Sequence, residues 1–157
     1  MSQRSVTHAT FVLERTYDAL PTRVFAAWAD PEAKARWMGG PDEKPDEYEL
    51  DFRVGGREYN RGTLRGGGPV YTYEARYQDI VADQRIVYTY EMYLDDARIS
   101  VSVGTVQLAP AGPGTRLTYT EQGAYLDGLD NPKLREQGTA EVLDSLGAEL
   151  RRQSATA

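Results

Sequence analysis

Apolar and polar residues alternate at period two through the middle of the chain. Tyr48 to Val54 (YELDFRV) predicts a half-buried strand with Tyr48, Leu50, Phe52 and Val54 facing inward. Gly55-Gly56 predicts a hairpin, and Glu58 to Arg65 the returning strand. Gly66-Gly67-Gly68-Pro69 is the next turn. It contains no Lys and leads into a strand, so it fails as a phosphate loop. Val70 to Val81 and Arg85 to Tyr93 follow as strands around the turn Ala82-Asp83-Gln84. Beyond Asp95-Asp96, the strand Ile99 to Leu108 changes parity, from odd apolar positions (Ile99, Val101, Val103) to even ones (Val106, Leu108). That shift predicts a bulge near Gly104. Ala111-Gly112-Pro113-Gly114 turns into Thr115 to Gln122, with Leu117, Tyr119 and Glu121 on one face. Upstream of all these, Thr10 to Tyr17 reads as a first strand.

Helical signals flank this β-rich middle. Pro21 opens PTRVFAAWAD, and Asp30-Pro31 caps PEAKARWM, which Gly39-Gly40-Pro41 stops. Val24, Phe25, Trp28, Ala33 and Trp37 supply the apolar contacts of these two short helices. Asn131-Pro132 starts a long helix, in which Gly138, Val142, Leu143, Leu146 and Leu150 form one stripe up to Arg152. An amphipathic helix of this size must bury its stripe, and the sheet is the large partner. The expected fold class is α+β: a curved antiparallel sheet of about six or seven strands wrapped around a long C-terminal helix. A twisted sheet and a straight helix do not touch along their full length, which predicts an internal cavity.

Composition narrows the chemistry. The 157 residues fit one domain, with its core expected over about 10–151. Hydrophobic residues at 40% and charged residues at 27% are those of an ordinary globule. The net charge of -6 argues against nucleic-acid or anionic-membrane partners. No apolar run reaches signal-peptide or membrane-spanning length, so a cytoplasmic location is expected, and the terminal RRQSATA is expected to fray. Cys is absent and His8 is the single His, which removes thiol chemistry and means that any Ser-His-Asp triad or His-rich metal site would have to be built on that one residue. The acidic loop holding Asp42, Glu43, Asp46 and Glu47 lacks EF-hand spacing. Neither a metal nor a cofactor is expected.

Several motifs together point to a family. Trp28, Asp30-Pro31-Glu32, Trp37 and Gly39 to Pro41 resemble the N-terminal signature of the SRPBCC (START, birch-pollen-allergen-like) superfamily. Within it, they resemble homologues of the activator of the 90-kDa heat-shock-protein ATPase. Val54-Gly55-Gly56-Arg57 resembles that family's hairpin, and Thr115 to Tyr125 with Arg135 to Thr139 resembles its ending. The resemblance runs from about Thr10 to Arg151. It implies a helix-grip fold with an apolar cavity, used by different members for lipids, polyketides, hormones or aromatic metabolites. Many relatives carry Trp where Thr139 stands and His where Glu121 stands, so the ligand of the common relatives does not transfer.

Tyrosine is the conspicuous candidate chemistry. Nine of the 11 Tyr lie between residues 59 and 125. By parity, Tyr71, Tyr73 and Tyr77 share one face of their strand, and Tyr88 and Tyr90 share a face of theirs with Ile86 and Met92, where they either line a cavity or form a sheet face with wet hydroxyls. Glu121 shares the parity of Tyr119. An inward carboxylate there is a candidate general acid or base, and a solvated or Arg-paired one is merely structural. Arg61, on the parity of Tyr59, is its candidate partner. Trp28 reads as packing, while Trp37 reads either as packing or as a residue of the cavity mouth. The candidate ligand-binding set is therefore Trp37, Phe52, Tyr59, Arg61, Tyr73, Tyr77, Tyr88, Tyr90, Tyr119, Tyr125, Thr139 and Leu143, with Glu121 as the catalytic candidate.

Three functions remain in view. The first is binding of a small apolar or aromatic molecule in the cavity. The second is a cyclase or dehydratase of the polyketide-processing type, running on Glu121 and tyrosine hydroxyls. The third is a co-chaperone role like that of the heat-shock-protein ATPase activator. A homodimer through a free sheet edge is compatible with each.

Overall fold

The computed structural model describes residues 4–39, 46–64 and 67–156. Its strands are β1 (Val6–Tyr17), β2 (Glu47–Leu50), β3 (Arg57–Thr63), β4 (Val70–Val81), β5 (Arg85–Leu94), β6 (Ala97–Ala111) and β7 (Gly114–Leu126). Its helices are α1 (Pro21–Ala29), α2 (Pro31–Met38) and α3 (Pro132–Thr156). The strands form one seven-stranded antiparallel sheet in the order β1-β7-β6-β5-β4-β3-β2. With the long helix laid across one face, this is the helix-grip architecture.

The local signals act as the residues dictate. Asp30 Oδ1 accepts from the Glu32 amide at 3.2 Å, capping α2, and Asn131 Oδ1 accepts from the Lys133 amide at 2.9 Å, capping α3. Asp83, in the left-handed region at φ 64°, makes the tight β4–β5 turn. The stripe of α3 divides along its length. Leu143, Leu146 and Leu150 are buried, whereas Leu134 is 61% exposed and Gly138 is open. The C-terminal half of α3 thus packs into the core with α1, α2 and β1, and its N-terminal half stands away from the sheet.

Four local expectations are corrected. The strand expected over Tyr48 to Val54 ends at Leu50, and Val54 is 57% exposed, because the chain turns at Asp51 to carry Gly55 and Gly56 back towards Tyr77. The bulge expected near Gly104 lies elsewhere. β6 and β7 stay in register through Gly104, and the shift against β5 falls between Met92 and Tyr93, so that Ile99 and Ser100 are both buried. From Ser100 onward the inward positions are even, and Val101 and Val103 face outward, so the apolar outer residues disguised the true parity. The C-terminal segment does not fray from Arg151: α3 continues to Thr156, with Arg152 and Gln153 bonded to Glu149. Finally, Arg61 is exposed. Gly40, Pro41, Asp42, Glu43, Arg65 and Gly66 lie outside the described residues.

Candidate functional site

Strand register places the tyrosines in rows across the inner face. Tyr77, Tyr88, Gly104, Glu121 and Phe11 are successive partners across β4, β5, β6, β7 and β1. Tyr90, Ser102 and Gly123 make the neighbouring row. Small residues at the centre of β6 and β7 let large rings lean over them. A Cβ on Gly104 would come within 2.7 Å of Tyr88 Cζ and 2.9 Å of the Tyr119 hydroxyl, and one on Gly123 within 2.8 Å of the Tyr125 ring. The tilted pairs Tyr73–Tyr90 and Tyr88–Tyr90, with centroids 4.9 and 5.9 Å apart, extend this layer into a continuous aromatic wall.

Between this wall and the N-terminal half of α3 lies a cavity of about 460 Å³. Its inner lining includes Trp28, Asn60, Tyr71, Tyr73, Tyr88, Tyr90, Tyr119 and Glu121, and α3 contributes Arg135, Thr139, Val142 and Leu143. Met38, Leu64, Leu94 and Leu134, each partly or largely exposed, mark its opening.

Glu121 is the hub of the polar end, with its side chain 1% exposed. Its Oε1 accepts from the hydroxyls of Tyr90 and Tyr119, each at 2.7 Å, and its Oε2 from that of Tyr125 at 3.5 Å. Tyr119 spends its hydrogen on Glu121, so the 3.0 Å contact between the Tyr88 and Tyr119 hydroxyls has Tyr88 as donor. Arg135 completes the network. It donates to the Tyr90 hydroxyl and the Ser100 hydroxyl, both at 2.9 Å, forms an ion pair with Asp130, and lies 3.7 Å from Glu121 Oε2. Burial, reinforced by neighbouring hydroxyls and the Glu121 carboxylate, raises the pKa values of Tyr90 and Tyr119 well above the ordinary tyrosine value. Burial and Glu121 push that of Tyr125 up to about 12. All three stay neutral hydrogen-bond donors around neutral pH. Trp28 Nε1, Tyr73 Oη and Ser102 Oγ are buried without a partner among the described residues.

A second buried cluster stands behind Trp28. Lys34 Nζ is 2.6 Å from Glu58 Oε1 and donates to the Tyr77 hydroxyl at 3.0 Å, while Tyr48 donates to Glu58 Oε2 at 2.8 Å. The ammonium lies 5.0 Å from the Trp28 ring centroid, and Trp28 packs edge-on against Trp37 at 4.7 Å. This cluster fixes α2 to the sheet and so sets the back of the cavity wall.

The expected site residues separate accordingly. Tyr73, Tyr88, Tyr90, Tyr119, Glu121, Thr139 and Leu143 come together at the cavity. Tyr125 is beneath it, bonded to Glu121. Five others are elsewhere. Trp37 is buried and donates to the Ala27 carbonyl, and it is Trp28 that lines the cavity. Tyr77 belongs to the Lys34–Glu58 cluster, and Phe52 packs on Tyr77 and Phe25. Tyr59 lies on the outer face with Arg57 stacked on its ring at 4.3 Å. Arg61 shares that outer face, 3.7 Å from Glu47, so it is not the partner of Glu121. The inward residues of β3 are the polar or small Glu58, Asn60 and Gly62, which inverts the usual hydropathy of a strand. Sequence reasoning missed Arg135, Lys34 and Glu58. A strand whose alternate positions read Glu58-x-Asn60-x-Gly62 was the available signal, since polar residues on one parity need a buried partner.

Replacing Glu121 with Gln is expected to destabilise the fold by about 2–3 kcal/mol, because an amide presents hydrogens to Arg135 or to the tyrosine donors. It should also weaken occupancy of the cavity. Urea unfolding of the variant beside the wild type checks the first expectation, and a loss below about 0.5 kcal/mol would remove Glu121 from its place as hub.

Comparison with known proteins agrees with this architecture. Residues 18–151 match the family model described as activator of Hsp90 ATPase homolog 1-like protein. A solved structure of a Rhizobium leguminosarum protein is 43% identical, covers 96% of this chain and 99% of its own, and superposes with a TM-score of 0.92. The Mll3558 protein of Rhizobium loti is 51% identical over 92% of this chain and 99% of its own, with a TM-score of 0.86. CV1439 of Chromobacterium violaceum is 28% identical over 90% of this chain and 96% of its own, with a TM-score of 0.74. No curated protein matches the chain. No helix among the described residues is long and apolar enough to cross a membrane. The family model spans most of the chain and the fold is the same, and the chain belongs to the activator of Hsp90 ATPase homologue 1-like family of the SRPBCC superfamily.

Proposed function

We propose that this protein binds a small, ring-bearing molecule in the cavity between its sheet and α3. The observation that carries this reading is the cavity itself: about 460 Å³ walled by Trp28 and the rings of Tyr71, Tyr73, Tyr88, Tyr90 and Tyr119, with a few polar groups gathered at one end. Such a volume, mostly apolar with convergent polar groups, suits a drug-sized ligand. Flat rings stack on tyrosine faces, and the Glu121 end fixes orientation.

Binding is favoured over the cyclase or dehydratase alternative. Glu121 Oε1 already takes two hydroxyl hydrogens and Oε2 faces Arg135, so the carboxylate holds the wall together and has little capacity left to take a proton from a substrate. The family description refers to a chaperone ATPase. For this chain the buried tyrosine wall supports the ligand reading more directly. Native mass spectrometry of protein expressed in its own host tests it. A non-covalent small-molecule adduct is expected, and a bare mass that also stays bare after incubation with a panel of aromatic metabolites would overturn the reading.

A further inference from the structure

The cavity is electron-rich. Among the described residues, three carboxylates line it, Glu121, Asp130 and Glu141, against the single guanidinium of Arg135. That guanidinium is engaged twice over, by its ion pair with Asp130 and by Glu121 at 3.7 Å, and its NH1 and NH2 donate to Tyr90 and Ser100. It has little charge to offer a ligand carboxylate. The other nearby cation among the described residues, Lys34, is neutralised by Glu58 at 2.6 Å and lies behind Trp28. The hydroxyl hydrogens of Tyr88, Tyr119 and Tyr90 run towards Glu121 and so do not meet a ligand anion. The lining is dominated by the rings of tyrosines and a tryptophan, whose π-systems attract an ammonium.

We infer that the ligand of this cavity is a ring-bearing amine, protonated when bound, and that the cavity discriminates against aromatic carboxylates. This rests on the binding reading above and adds the charge of the ligand. The ring lies on the tyrosine wall, while the ammonium takes the field of the uncompensated carboxylates and the aromatic faces. An anion entering the same space meets that field with the opposite sign, with no free cation among the described lining residues to receive it.

Three probes with one ring and three charges test this: 2-naphthylmethylamine, 2-naphthalenemethanol and 2-naphthoate, titrated calorimetrically at neutral pH into the wild-type protein. The amine is expected to bind about tenfold more tightly than the alcohol, with the naphthoate weakest. Glu141 sits at the exposed edge of the cavity, and Glu141→Lys should fold normally. That variant should shrink the advantage of the amine and strengthen the naphthoate, leaving the alcohol unchanged. Naphthoate binding as tightly as the amine, or all three binding alike, would overturn the charge inference while leaving ligand binding in place. Failure of all three to bind would overturn both.

Discussion

Lys34→Met destabilises the fold by about 3–5 kcal/mol, the largest loss expected for a single substitution outside the cavity. Lys34 and Glu58 are each 1% exposed at the side chain and 2.6 Å apart. Removing the ammonium strands a carboxylate in the interior, with only the hydroxyls of Tyr48 and Tyr77 to solvate it. The pair as a whole contributes much less than that figure, because burying both ions costs nearly what their attraction returns. The double variant Lys34→Met with Glu58→Leu should therefore regain most of the lost stability. Urea unfolding of the four members of this cycle measures both statements. Equal losses in the single and double variants would show that packing of the lysine stem, and not its charge, holds α2 to the sheet.

Thr139→Trp abolishes ligand binding, lowering affinity by about a hundredfold or more, while leaving the fold intact. Thr139 faces the cavity from the part of α3 that stands away from the sheet, and its hydroxyl is bonded only to the Arg135 carbonyl one turn earlier in the same helix. An indole there projects into existing space and displaces the ligand, not the core. Stability should hold or rise, since new apolar contacts fill a void. Titration with the fluorescent ring compound N-phenyl-1-naphthylamine reads the effect: enhancement in the wild type, none in the variant. Undiminished enhancement in Thr139→Trp would place the ligand somewhere other than beneath α3.

The fold was legible in the sequence because its signals are local. Asp30, Pro31, Asn131 and Pro132 mark helix starts by their own chemistry, and β4 and β5 carry tyrosines at alternate positions, so their inner faces follow from period two. Glu121 could be aligned with Tyr119 for the same reason. β3 was illegible from its own residues. Its buried members Glu58 and Asn60 are polar, its outer Tyr59 is covered by Arg57, and Lys34, which justifies Glu58, lies 24 residues upstream on a helix. β6 misled in the opposite way. Val101 and Val103 face outward while Ser100, Ser102 and Gly104 face in, because the tyrosines of the adjacent strands occupy the space above those small residues. Arg135 was hidden by distance as well, since it meets Tyr90 across 45 residues. Facing preferences follow hydropathy only where the interior is apolar. Around the cavity this interior carries tyrosine hydroxyls and the buried carboxylates Glu58 and Glu121.

The central claim is that the tyrosine-walled cavity holds a small molecule. Native mass spectrometry of the wild type and of Thr139→Trp, both purified from the native host, tests it most directly. The account predicts a discrete non-covalent adduct on the wild type that is absent from the variant. Bare masses for both proteins, or an adduct retained equally by the two, would contradict it.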